Sequence, residues 1–157
     1  MKNSPFRFVR ILALCAAAFL LSAPAWAQKG LHVEPLFDGS YEKNPKAVTV
    51  DVRGKRLKPY DLTLFRSITV HGSPHDADRM AAAALADGQG AVNSEVVKRG
   101  KALVAGYYQL PPRDRKGQGP NRFVLFRRLE EGAATLIYLE GETELEKLIR
   151  LFVKPKK

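Results

Sequence analysis

Residues 122–139, RFVLFRRLEEGAATLIYL, hold two strand-like segments, Arg122–Leu129 and Ala133–Leu139, either side of Glu130-Glu131-Gly132. Glycine at 132 can take the positive φ that a short bulged turn needs, so the segments are expected to form a tight hairpin. Strands joined this way run antiparallel, and an antiparallel sheet tolerates one wet face, which suits the charged residues interleaved here.

Ala102–Leu110 reads as a further strand, separated from the hairpin by the long loop Pro111–Asn121 with its two prolines followed by two glycines. Nearer the N-terminus, Val48, Val50 and Val52 alternate with Thr49, Asp51 and Arg53, the period of a half-buried strand that stops at Gly54. Leu57 to Asp61 makes a reversal. Leu62, Leu64, Ile68 and Val70 then share one face of a second strand, with Arg66 out of place among them.

Two helical patterns interrupt the strands. Ser73 suits an N-cap, Pro74 the first helical position, and Asp76 the positive end of the macrodipole. The stripe Ala81, Leu85, Gly88, Val92 and Val96 favours one helix over 74–99, with Gly88 allowing close approach to the sheet. Two shorter helices broken at 87–90 are the alternative. At the C-terminal end, Thr143 to Glu146 has the form of a capping box, and Leu145, Leu148, Ile149 and Phe152 follow at helical spacing. Sequential strands interrupted by two helices imply an α+β fold: a two-layer sandwich, a mostly antiparallel sheet of about five strands with two helices on one face.

The N-terminus reads as an address. Lys2, Arg7 and Arg10 precede the apolar run Ile11–Leu21, and Ala25-Trp26-Ala27 is a small-x-small site ahead of Gln28. Residues 1–27 are therefore expected to be a signal peptide cleaved between Ala27 and Gln28, residues 28–45 an N-terminal arm docking by Phe37, and residues 46–157 a single domain. The apolar run falls well short of the roughly 20 residues needed to span a membrane as a helix. Cleavage there would remove three basic residues, lowering the formal net charge from +10 to +7, together with the only Cys and the only Trp. The exported chain would then hold no thiol for a disulfide or a Cys-ligated metal.

The chain also resembles an uncharacterised family of small exported proteins from gut-associated Gram-negative bacteria. Leu36-Phe37-Asp38-Gly39, Gly54 to Tyr60, Leu62 to Ser67, the strand Asn121-Arg122-Phe123 to Arg127-Arg128, and Tyr138-Leu139-Glu140-Gly141 carry the resemblance. It implies a single-domain exported protein and assigns no catalytic residue.

The candidates for chemistry have structural readings beside them. His71, His75, Asp76 and Asp78 are dense enough to suggest a metal, but Gly72, Ser73 and Pro74 keep the two histidines off a shared helix face, so a strand end and a helix cap account for them. Ser67, Ser73 and Ser94 lack a nucleophile-elbow motif, and Gly117-Gln118-Gly119 lacks the Lys-Ser/Thr of a P-loop. No cofactor or catalytic residue is expected. The basic residues Arg113, Arg115, Lys116 and Arg122 around the long loop, with Tyr107 and Tyr108 just before it, form a candidate anion-binding surface. The functional expectation is an exported, periplasmic or secreted, non-enzymatic module that binds an envelope protein or ligand. A basic module for anionic glycan or lipid is the alternative and a small hydrolase a distant one, with nucleic acid disfavoured as a partner by export.

Overall fold

The computed structural model describes residues 30–114, 116–130 and 132–153. The expected cleavage site (Ala25, Ala27, Gln28), Arg115, Glu131 and the basic tail at Lys154, Lys156 and Lys157 lie outside the described residues.

The hairpin forms as its sequence requires. Strands β5 (Asn121–Glu130) and β6 (Ala133–Gly141) pair antiparallel, Phe123 opposite Leu139 and Phe126 opposite Leu136, with Gly132 at φ 71 and an irregularity between Arg128 and Glu130. Around it are β1 (Ala47–Arg53), β2 (Leu62–Val70), β3 (Asn93–Arg99) and β4 (Ala102–Leu110). One six-stranded, wholly antiparallel sheet results, in the order β1-β2-β6-β5-β4-β3.

The helix expected over 74–99 is corrected. Helix α1 (Pro74–Gly88) ends at its glycine, and Asn93–Arg99 is the sixth strand. Its hairpin partner is β4, with Arg99 opposite Ala102 and a two-residue turn begun by Gly100 at φ 61, the position glycine takes in a type II′ turn. The apparent stripe through Val92 and Val96 buries nothing: both are well exposed. Gly88 does approach the sheet closely, since a methyl there would come within 2.7 Å of the Tyr108 ring.

Placing both helices on one face is also corrected. In β5 all four residues of Phe123-Val124-Leu125-Phe126 are buried, so the strand is dry on both faces along this stretch. Val124 and Phe126 join Val70, Tyr108, Leu110 and Leu136 beneath Ala77, Met80, Ala81 and Ala84 of α1. Phe123 and Leu125 belong to the opposite cluster with Ala105, Tyr107 and Leu139, covered by Leu145 and Leu148 of α2 (Leu145–Val153). An unbroken apolar run in a central strand needs a cover on each side, and the helices supply one each. The helix-capping box is not made: Thr143 Oγ1 is buried without a partner, while Glu146 Oε1 accepts from Asn93 Nδ2 at 3.3 Å.

The arm docks through two 3-10 turns, Glu34–Phe37 and Ser40–Lys43, and a third, Gly54–Tyr60, makes the reversal between β1 and β2. Val33, Leu36 and Tyr41 enter the α1-side core, whereas Phe37, the expected anchor, is only partly buried against it.

Tyr108 is wedged between Gly88 and Gly106 with its hydroxyl buried and without a hydrogen-bond partner. Burial alone pushes that hydroxyl's pKa up. A buried hydroxyl with no acceptor forfeits its hydration, so Tyr108→Phe should raise stability by about 1 kcal/mol. Urea denaturation of the two proteins checks this; a loss of stability would mean the hydroxyl is partnered in solution.

Candidate functional site

Arg66 is the residue the sequence marks as out of place, an arginine midway along a largely buried strand. It lies on the α1 side of β2, beyond the reach of α1, and the arm closes over it instead. Its Nη2 donates to the Phe37 carbonyl at 2.7 Å, and its guanidinium lies 4.9 Å from the centroid of the Phe37 ring. Asp51, its cross-strand neighbour on β1, places Oδ2 3.0 Å from Nε, an ion contact in which the N–H is not aligned for a hydrogen bond. The hydrogen bond from Arg53 to Asp51, 3.0 Å from Nε to Oδ1, is the main cause holding the Asp51 carboxyl below the usual range; burial opposes it and the Arg53 and Arg66 charges add to it.

Around these groups the arm and the edge strands leave a cleft of about 250 Å³, with Phe37, Tyr41, Thr49, Asp51, Arg66 and Ser67 among its lining residues. Tyr41 fixes its far wall. Its hydroxyl donates to Asp76 Oδ1 at 3.0 Å, and Ser73 Oγ donates to Oδ2 of the same carboxylate at 2.6 Å. The Ser73 bond comes first in lowering the Asp76 pKa; burial comes first in raising that of Tyr41. Asp76 therefore ties the start of α1 to the arm, and the Ser73 hydroxyl is spent on it rather than on a backbone cap.

A guanidinium offers five N–H donors in a planar fork. One of Arg66's is bonded to Phe37 and one faces Asp51, which leaves donors uncommitted among the described residues. With its side chain 24% exposed, the cleft can accept a carboxylate, a carbonyl or another acceptor.

A family of unknown function, DUF6108, matches residues 20–152. The chain belongs to DUF6108. No curated protein and no solved structure matches it. Two of the stretches that carry the resemblance noted in the sequence, Leu36 to Gly39 and Leu62 to Ser67, meet at this cleft of the DUF6108 chain.

The basic loop is arranged differently from the expected surface. Tyr107 and Tyr108 point into opposite cores, 5% and 2% exposed, so neither offers a ring beside the loop. Arg122 spends Nε and Nη2 on the Pro111 carbonyl, at 2.9 and 2.8 Å. Arg113 reaches Glu140 Oε1 at 3.3 Å, the same oxygen that accepts from Tyr138 at 2.6 Å. Burial, then this hydrogen bond, pushes the Tyr138 hydroxyl up to about 12. Arg113 remains 69% exposed and Lys116 is exposed at the loop tip. Arg127, toward the end of β5, is exposed on the α2 side near Tyr107.

Sequence reasoning missed Asp87. Buried near the end of α1, its carboxylate accepts from the backbone N–H groups of His32 (2.7 Å) and Val33 (3.0 Å), and Oδ1 lies 2.8 Å from His32 Nδ1. His71 and His75 are exposed at the end of β2 and the start of α1. Among the described residues no group of three or more His, Cys, Asp or Glu is placed to hold a metal, and no helix is long and apolar enough to cross a membrane.

Proposed function

We propose that this chain is an exported, non-enzymatic envelope protein, periplasmic or secreted after cleavage following Ala27, that binds an acceptor-bearing segment of another envelope protein or ligand in the arm cleft. The observation that carries this is Arg66: a partly exposed side chain whose guanidinium is oriented by Phe37 and Asp51 at the wall of a polar cleft. Orientation by the protein removes most of the ordering cost that a free arginine would incur on binding. The other groups with chemical potential serve the fold, Asp76 by holding Tyr41 and Ser73, and Asp87 by holding the arm.

The test is capture from envelope extracts by the wild-type chain, by Arg66→Gln and by a loop variant combining Arg113→Gln with Lys116→Gln, each checked for native circular dichroism. Loss of charge-assisted bonds is worth about 1.5–3 kcal/mol, so Arg66→Gln should weaken capture by about tenfold or more while the loop variant retains it. Equal capture by all three would overturn the cleft. Turnover of an ester, glycoside or peptide, abolished by a single polar substitution, would overturn the non-enzymatic reading.

The exposed Arg113 and Lys116 favour a second reading, a basic module for anionic glycan or lipid. Such binding would weaken steeply with salt and would be lost in the loop variant but not in Arg66→Gln.

A further inference from the structure

Strand β3 closes one end of the sheet, with β4 as its only neighbour in the strand order, and all seven of its residues are exposed. Its outer backbone N–H and C=O groups are a template for another strand. Edge strands ordinarily carry a device that blunts pairing, such as proline or a bulge. Asn93–Arg99 has no proline and a single lysine, Lys98, and the irregularity in its pairing places the extra residue, Val104, in β4, leaving β3 itself regular. Val96 and Val97 are 41% and 48% exposed. The opposite edge differs, for Asp51 of β1 is joined both to Arg53 and to Arg66.

The charges on β3 fit the reverse of the same strand. Glu95, Val97 and Arg99 share the α2 face, opposite Tyr107, Ala105 and Ala102. Among the described residues neither Glu95 nor Arg99 forms an ion pair. In an antiparallel pair about a two-fold axis normal to the sheet, one residue must face its own copy. If that residue is Val97, Glu95 of each copy faces Arg99 of the other, so two opposite-charge pairs flank a valine pair on one face. Centring on Val96 instead sets Glu95 against Val97 and forms no charge pair. Opposite charges directly across strands favour pairing and like charges oppose it, so the sequence selects both the occupant and the register.

We propose that β3 is a self-docking edge: two copies of this chain join their six-stranded sheets through antiparallel β3–β3 pairing centred on Val97. The pairing is short, which puts the dimer among weak, concentration-dependent associations.

Sedimentation of the purified chain over a wide concentration range should show a reversible monomer–dimer equilibrium. Glu95→Arg sets the new guanidinium of each copy against Arg99 of the other and should abolish the dimer, as should Arg99→Glu; the combined swap restores complementarity and should restore the dimer. These residues are exposed, and thermal melts confirm that each variant is folded. In a Cys15→Ser background, Val97→Cys should cross-link under mild oxidation, because directly opposed residues lie about 4.5–5.5 Å apart, within the span of a disulfide. A monomer at every concentration, a dimer indifferent to the single swaps, or cross-linking by Val96→Cys in place of Val97→Cys would each overturn the proposal.

Discussion

Gly141→Ala should lower the stability of this protein by about 3 kcal/mol, a drop in melting temperature of roughly 10 °C, although it adds one methyl group to a strand. Gly141 ends β6 where β2 begins, and the pairing slips there between Leu62 and Leu64. A Cβ at 141 would overlap the Asp61 carbonyl oxygen and lie 2.7 Å from Leu62 Cα, so it meets backbone, which has no rotamer by which to withdraw. That backbone is held from other sides. Asp61 sits at φ 58, its carbonyl accepts from Glu142 N at 2.9 Å, and Leu62 is buried among Leu57, Leu139 and Leu145. Gly117→Ala is the comparison: φ is 69 there but nothing lies within 4 Å of the added methyl, so backbone strain of about 1–2 kcal/mol is the whole cost. Thermal and urea unfolding of both variants measure the difference. Equal losses would show that the close approach at Gly141 contributes nothing.

The strands were legible wherever local pattern and tertiary burial agree. The Gly132 turn needs no knowledge of the rest of the chain and stands at its expected residue, whereas β1 forms at its expected residues but leaves Val48 and Val50 exposed and partly buries Ala47 and Thr49 of the other face instead. Asn93–Arg99 misled because two exposed valines happened to extend the phase of a real helix. The counter-signal was local: adjacent β-branched residues followed by glycine at the head of a two-residue turn. The placing of the helices failed for a different reason. One wet face is a property of antiparallel sheets in general, whereas Phe123-Val124-Leu125-Phe126 is a run that only burial on both sides accommodates.

The cleft was half legible. Arg66 breaks the apolar face of β2, and a lone charge there signals a partner, but Asp51 and the Phe37 carbonyl lie on other segments and only pairing brings them near. The tyrosines of the expected anion surface are the converse case. Adjacent residues in a strand point to opposite faces, so Tyr107 and Tyr108 cannot both have flanked the loop. Asp87 left no local trace, because an aspartate in the last turn of a helix looks like any solvent-facing residue until the arm, more than fifty residues earlier, is laid across it.

That arm supplies the last expected result. Asp87→Ala should cost about 3 kcal/mol, because it orphans the His32 and Val33 N–H groups where Val33 is 1% exposed and no other acceptor serves them among the described residues. The loss falls first on the arm, whose release should become on the order of a hundredfold more frequent, read as faster tryptic cleavage at Lys43. Asp87→Asn keeps an acceptor oxygen in the same shape and should lose less. Since Leu36, Phe37, Gly39 and Tyr41 form one wall of the Arg66 cleft, arm release also removes the carbonyl and the ring that orient the guanidinium. Asp87→Ala should therefore weaken capture through the cleft although Asp87 is not among the residues lining it, while leaving β3–β3 dimerisation at the far edge of the sheet unchanged. Unaltered cleavage at Lys43 would show that the arm is held by its apolar anchors alone.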